Sequence, residues 1–370
     1  MSHAHPTPPE QAPRRPRKQE QESAEREVRE VAPNVLRMQL PIAMPGLGHV
    51  NMYALVDERG AAVVDPGLPT PASWKAVKDR LRQAGLRPKH VHTVIVTHSH
   101  PDHFGGAARL ARESGAQVVA HRSFRFGVVE AAAQDAEISV DDLAAAADAV
   151  SDEVQRRILD GWKHRTPWGG QHPRPPFRMR LRWRLARWLG RAFVPTVTKP
   201  VRAEEVLRLG GREWVIRHTP GHTEDHICLH DPADGVFLSG DHVLPTITPH
   251  ISGLALSKDP LATFFASLDE VAAIPDVKLV LPAHGHPFTD LAARCAAIKQ
   301  HHYDRLDTVR RIGRELGPAT VQAFSRRLFR PRSWGEMAES ETYAHLEHLR
   351  LAGAATARRD AQGFLIYETG

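Results

Sequence analysis

VHTVIVTHSHPDHF, residues 91–104, joins two kinds of sequence that rarely adjoin. Val94, Ile95, Val96 and Thr97 form a β-branched run of the kind that fills a buried strand, and it stops in His98, Ser99, His100, Pro101, Asp102 and His103. Side chains alternate along an extended chain, so His98 and His100 point to the same side and two imidazoles can grip one ion. Pro101 turns the chain, and Asp102 and His103 then face a second ion beside the first. Gly105 and Gly106 let a helix start close against the site. The layout is that of a two-metal centre. In a chain with 23 histidines a merely polar loop is the alternative; placement at a strand end, with partner motifs downstream, argues against it.

The pattern H-x-H-x-D-H after a hydrophobic strand resembles the metallo-β-lactamase superfamily. Supporting motifs occur in that family's order: Val63-Val64-Asp65-Pro66-Gly67, Pro220-Gly221-His222-Thr223, Ser239-Gly240-Asp241 and Pro282-Ala283-His284-Gly285. The likeness covers about Val35 to Arg294 apart from one long insertion. It implies the α/β class, as a four-layer αββα sandwich. It assigns His98, His100 and His222 to a first metal, Asp102, His103 and His284 to a second, and Asp241 to a bridging position. Asp65 is implied to hydrogen-bond beneath the histidine motif without touching metal. Two Zn(2+) suit this ligand set, and the added aspartate tolerates iron or manganese. Two such ions about 3.5–4 Å apart hold one bridging hydroxide as nucleophile, which Asp102 orients. Asp102 and Asp241 are therefore the expected catalytic carboxylates.

Departures from subfamily patterns narrow the chemistry. His100 stands where the flavodiiron oxygen-reducing branch has a carboxylate, which favours hydrolysis over redox chemistry. Asp241 stands where many true β-lactamases carry a cysteine or lack an acidic ligand, which disfavours antibiotic hydrolysis. The set resembles the glyoxalase II thioesterases, implying hydrolysis of a thioester or ester of an anionic small molecule, as in a hydroxyacylglutathione hydrolase. The alternatives are a phosphodiesterase or endoribonuclease of the β-lactamase-like protein 2 type and a mononuclear iron persulfide dioxygenase. A nucleic-acid-binding regulator is the rival class. His226 reads as a packed structural histidine, while His242, His250 and His286 lie near the site loops and His242 is a candidate substrate contact.

A length of 370 residues favours two domains plus appendages. Residues 1–32 are rich in Pro, Arg, Glu and Gln and read as a disordered tail, because they bury too little apolar surface to offset ordering entropy. Residues 33–294 read as the catalytic domain. Thr70 caps a helix opening at Pro71, and the strand, helix, strand succession around it makes a βαβ unit whose ligands gather at strand C-terminal ends. An insertion over about 125–203 interrupts the pattern, and the stretch 156–202 holds thirteen basic residues against one acid, Asp160. Phe177 to Phe193 fits one amphipathic helix with Arg180, Arg184, Arg187 and Arg191 opposite an apolar face. The reading is a lid that binds an anionic substrate; peripheral contact with an anionic membrane, binding of nucleic-acid phosphate and plain solvation are the alternatives.

Residues 295–370 give helix, helix, helix and hairpin, which resembles a winged helix. A net charge of +3 over that segment favours packing or homodimerisation over nucleic-acid binding. Cys228 and Cys295 are the two cysteines, and they suggest neither a disulfide framework nor a thiolate metal site. With no signal-peptide or membrane-spanning run, the expected location is the cytoplasm.

Overall fold

The computed structural model describes residues 18–44, 46–126, 166–169, 193–255 and 257–370. Among these, two sheets stack face to face with helices on both outer sides. The first runs in spatial order β1 (Val28–Ala32), β2 (Val35–Met44), β3 (Leu47–Asp57), β4 (Gly60–Val64), β5 (Val91–Ile95), β6 (Gln117–His121) and β7 (Lys199–Val201). Its first four strands form an antiparallel meander, and β4 to β7 are parallel. The second sheet has β8 (Val206–Leu209), β9 (Arg212–His218), β10 (Ile227–Asp231) and β11 (Val236–Gly240) antiparallel, with β12 (Leu279–Pro282) parallel to β11 at its edge.

Three apolar layers separate the four structural ones. Period-two alternation divides β4 between two of them: Ala61 and Val63 face α1 (Pro71–Gln83) and α3 (Ala107–Ser114), while Ala62 and Val64 meet Leu207, Trp214, Ile216 and Leu229 of the second sheet. Burial on both faces is what the unbroken β-branched runs require. Beyond the second sheet lie α4 (Pro260–Ala272), α5 (Leu291–Leu316), α6 (Val321–Leu328) and α7 (Glu336–Leu351). The expected cap is present, since the Ser73 amide donates to Thr70 Oγ1 at 3.2 Å. The βαβ unit is present too, as β4, α1 and the parallel strand β5.

The C-terminal elements follow in the order expected: α5, a short β13 (Ala319–Thr320), α6, α7, and a hairpin of β14 (Ala355–Arg359) and β15 (Leu365–Thr369), with β15 between β13 and β14. The boundary expected at 294/295 falls inside α5, a continuous 26-residue helix. Its early residues Leu291, Cys295 and Ile298 and its later ones Leu306, Val309 and Ile312 belong to one apolar cluster with Phe264, Leu268, Phe324 and Tyr367.

The tail expected over 1–32 is likewise corrected, for residues 18–32. They run through a turn of 3-10 helix at Gln19–Gln21 into the edge strand β1. Polar contacts order this segment. Glu20 is fully buried, and its carboxylate accepts from the Thr246 and Ile247 amides at 2.8 and 3.1 Å and from the Thr246 hydroxyl. Arg37 donates to Glu25 at 2.9 Å.

The basic helix expected over Phe177 to Phe193, with Arg180, Arg184, Arg187 and Arg191, lies outside the described residues except at its last position. Of the insertion's middle, residues 166–169 are described. Trp168 is buried against Tyr343 and its indole N–H donates to Glu339 Oε2 at 3.1 Å. No helix among the described residues is long and apolar enough to cross a membrane.

Candidate metal centre

The strands that the two sheets bring side by side end together, and their C-terminal ends carry the ligand-type residues. His98 and His100 follow β5, and Asp102 and His103 sit on the single helical turn α2 (Pro101–Phe104). His222 lies on the loop between β9 and β10, Asp241 directly follows β11, and His284 follows β12. Cross-links hold these ends in register. The Ile227 amide donates to the Thr97 carbonyl at 2.9 Å, joining the sheets beside His98. Asn51 Nδ2 donates to the carbonyls of Pro282 and Gly285 at 2.8 and 2.9 Å, and Tyr53 OH to Pro282 at 2.8 Å, pinning the His284 loop to β3. Glycine permits the closest approaches: a Cβ on Gly106 would stand 2.3 Å from the Pro66 carbonyl oxygen, and one on Gly240, at φ +51°, 2.6 Å from His226 Nε2.

Two groups of ligand atoms result, His98, His100, His222 and Asp241 in one and Asp102, His103 and His284 in the other. Within the first, His100 Nδ1 lies 3.0 Å from both His98 Nε2 and His222 Nε2. Within the second, Asp102 Oδ2 lies 3.6 Å from His103 Nε2 and 3.5 Å from His284 Nε2. Asp241 stands between them. Its Oδ2 is 3.6 Å from His222 Nε2, 4.0 Å from His98 Nε2 and 3.5 Å from His103 Nε2, while Oδ1 is 3.3 Å from His284 Nε2. Donors bound to one tetrahedral ion at about 2.0–2.2 Å lie about 3.3–3.6 Å apart, so the observed separations suit two ions flanking one carboxylate.

Orphaned polar atoms provide the test of fit. His103 Nε2, His284 Nε2 and Asp241 Oδ1 are buried without a hydrogen-bond partner, an arrangement that costs free energy unless a ligand completes it. The outer nitrogens of His98, His103, His222 and His284 are engaged. His103 Nδ1 donates to Asp65 Oδ2 at 2.9 Å, His222 Nδ1 to the His250 carbonyl at 2.7 Å, and His284 Nδ1 to the His49 carbonyl at 2.6 Å. Thr97 gives its hydroxyl proton to Asp65 Oδ2 at 2.7 Å, so it accepts from His98 Nδ1 at 3.0 Å. In its neutral form each of these four rings turns an unprotonated Nε2 inward, the tautomer that metal ligation requires.

Electrostatics point the same way. Burial and the crowding of His103 and His100 hold His98 well below the usual histidine range, and burial beside His222 and His103 does the same to His100. Burial opposes charge on His103 as well, yet Asp241, Asp102 and Asp65 hold its pKa well above the usual range. Burial would push Asp241 up, but His284 and His103 keep it well below the carboxylate range. This end of the site demands positive charge, which divalent ions supply.

All seven expected ligand residues thus converge, with Asp65 beneath them. Its backbone is left-handed at φ +53°, and the Thr97 amide donates to its Oδ1 at 2.9 Å. His226 takes a packing position, accepting the Asp241 amide at Nε2 (3.1 Å) and donating from Nδ1 to Thr219 Oγ1 (2.7 Å). His242 is corrected: it is fully buried, packed edge-on against Phe264, and has no surface to offer a substrate. The chain turns inward after Asp241 to put Val243 and Leu244 in the core, and His242 goes with them. Three contributions were not legible in the sequence. His49 and His250 offer their backbone carbonyls, which leave no side-chain signature, although His250 had stood out as a ring near the site loops. Asp225, which accepts from Ser99 Oγ at 2.9 Å and ties the His98 loop to the His222 loop, had only its nearness to His222 as a signal. Burial raises the Asp225 carboxyl to about 6.

Comparison with known proteins agrees with this geometry. The family model described as the metallo-beta-lactamase superfamily matches residues 45–284. A hydroxyacylglutathione hydrolase of Albidiferax ferrireducens is 27% identical over 262 residues, 70% of this chain and 71% of that protein. The probable metallo-hydrolase YqjP of Bacillus subtilis is 26% identical over 339 residues, 87% of this chain and 93% of that protein. The crystal structure of a metallo-beta-lactamase family protein from Thermus thermophilus superposes with a TM-score of 0.70 at 27% identity, covering 92% of this chain and 100% of that one.

Proposed function

Because the chain belongs to the metallo-beta-lactamase superfamily and is a hydrolase of that class, we propose that it cleaves a thioester, or a closely related ester, of an anionic small molecule at a dinuclear centre. The observation that carries this reading is the pair of buried His/Asp clusters sharing Asp241. His98, His100 and His222 would hold one ion, Asp102, His103 and His284 the other, and Asp241 both. When bound, such ions supply Lewis-acid polarisation of a carbonyl and a water acidic enough to attack at neutral pH.

The chain's own residues do the rest. Thr97, Asp65, His250 and His49 fix the ligand rings and their tautomers, so little reorganisation is needed on the way to the transition state. Asp102 accepts a hydrogen bond from the attacking water and aims its lone pair at the acyl carbon. The outer nitrogens of four site imidazoles are already committed, which suits a thiolate leaving group because it departs without a proton. An alkoxide or amine would need a donor. The likeness to a hydroxyacylglutathione hydrolase supports the thioester over other acyl substrates.

Metal analysis followed by a parallel screen tests this reading. The panel is S-acyl glutathione, acyl coenzyme A, a nitrocefin-type lactam, bis-p-nitrophenyl phosphate and single-stranded RNA. The expected result is about two metal ions per chain, highest kcat/KM on a thioester, and loss of turnover on exhaustive chelation. Faster cleavage of the phosphodiester or RNA would overturn the substrate class. Full turnover after chelation would overturn the metal centre.

A further inference from the structure

Two ligand imidazoles are held through a backbone carbonyl, one in each half of the centre, and in both cases the residue giving the carbonyl is a histidine gripped by a distant part of the chain. His222 donates to the carbonyl of His250, and the His250 ring lies with Nδ1 3.3 Å from Glu341 Oε2 on α7. Arg305 on α5 pairs with the other oxygen of Glu341. His284 donates to the carbonyl of His49, and the His49 ring is held between the Glu22 carbonyl, to which Nδ1 donates at 2.8 Å, and the Gly285 amide, which donates to Nε2 at 3.0 Å.

The residues that do the gripping lie near opposite ends of the sequence. Residues 19–25 form a strap across the His284 side. The strap sits so close that a Cβ on Gly48 would stand 2.2 Å from the Glu22 carbonyl oxygen. Glu20 anchors it on Thr246 and Ile247, and Glu22 Oε2 lies 2.8 Å from His286 Nε2. On the His222 side α7 plays the same part, with the Ser340 hydroxyl accepting the Gly253 amide at 3.0 Å just past His250.

We propose that the two ends of the chain set the two half-sites separately: the N-terminal strap, through Glu22 and His49, positions His284, and the C-terminal helix α7, through Glu341 and His250, positions His222. Glu20 and Glu341 are then positioning residues, neither of which touches an ion or substrate. The C-terminal helices are part of the centre's architecture and not an appended recruitment module. This inference rests on the dinuclear reading above.

The test is Zn(2+) titration of the full chain followed by calorimetry, together with NMR of the imidazole N–H protons in protein labelled with 15N-histidine. Wild type should take up two ions in resolvable steps; uptake of none overturns the dinuclear reading itself. Glu20→Ala should weaken one step and Glu341→Ala the other, each about 10–100-fold, the range for loss of a partner that orients a ligand. The double variant should weaken both, and Glu20→Gln and Glu341→Gln should recover part of the loss. In the loaded protein Glu341→Ala should move the His222 N–H resonance and spare that of His284, and Glu20→Ala the reverse. Circular dichroism distinguishes a local effect from unfolding. Against a wild type that binds two ions, variants that keep both affinities, or that both weaken the same step, overturn the separate clamps. The Gln variants and the resonances decide the matter if an Ala variant fails to fold.

Discussion

Asp65 concentrates the logic of the centre in one side chain. It accepts three hydrogen bonds, from the Thr97 amide, the Thr97 hydroxyl and His103 Nδ1, and it is nearly inaccessible. In Asp65→Asn the amide nitrogen cannot face the Thr97 N–H, a backbone donor with no freedom to turn away, so it takes the Oδ2 position. His103 must then present a lone pair at Nδ1 and carry its proton on Nε2, the atom that faces the ion. The expected outcome is a loss of metal affinity of about 10–100-fold with the fold intact, measured by Zn(2+) titration beside circular dichroism. Unchanged affinity would show that the tautomer of His103 does not matter. Residue-level roles were legible in the sequence where the chemistry is local. His98 to His103 declare themselves because a β-branched run ends in four ligand-type side chains. The parts played by His49 and His250 do not, because what they contribute is a peptide carbonyl that every residue has. His242 misled because a polar residue beside Asp241 reads the same whether it turns outward or into the core.

At the scale of elements, α5 and α7 meet through a buried pair of histidines. His345 Nδ1 donates to the Glu341 carbonyl at 2.7 Å, so its Nε2 accepts from His302 Nδ1 at 3.1 Å. Both rings are neutral in this arrangement. Protonating His345 would set two N–H groups against each other. Burial, reinforced for His302 by His345, lowers His302 to about 2 and His345 to about 4 from an ordinary 6.5. Folded values below the unfolded one mean that the unfolded chain takes up protons first. The stability these residues confer is therefore complete above about pH 6.5 and declines as pH falls from there toward 4. His345→Gln removes one of the two proton sites. Its Tm should fall less than that of wild type between pH 7 and pH 5, and parallel curves would dismiss the pair as an acid sensor. Element ends were readable where capping chemistry is local, as at Thr70. The same chemistry starts α6 at Val321, since Thr320 Oγ1 accepts from the Ala323 amide at 3.2 Å and caps the helix. The strap over residues 19–25 was not readable, because its order comes from partners more than two hundred residues away, such as Thr246.

For the whole molecule the question is where one unit ends. Charge and motif content both suggested a break at 294/295, and α5 runs through it because one helix serves two neighbours, the second sheet and the C-terminal hairpin. Sequence periodicity shows that a helix is apolar on one side, but not that the same stripe meets two different partners along its length. The consequence is testable by ending the chain at Leu316. That removes Val321, Phe324, Leu346, Leu349 and Tyr367 from a cluster they share with Phe264, Leu268, Leu306, Val309 and Ile312. At about 1.5–3 kcal/mol for each large apolar side chain, the loss is of order 10 kcal/mol, comparable with the whole stability of an ordinary domain. It would also expose a broad apolar face on α4 and α5 and remove Glu341 from beside His250. The shortened chain should aggregate or unfold without a cooperative transition, as seen by light scattering and thermal melts. A soluble product that melts cooperatively and binds two zinc ions would mean that residues 317–370 are a dispensable module, and that the catalytic body holds its metal centre without them.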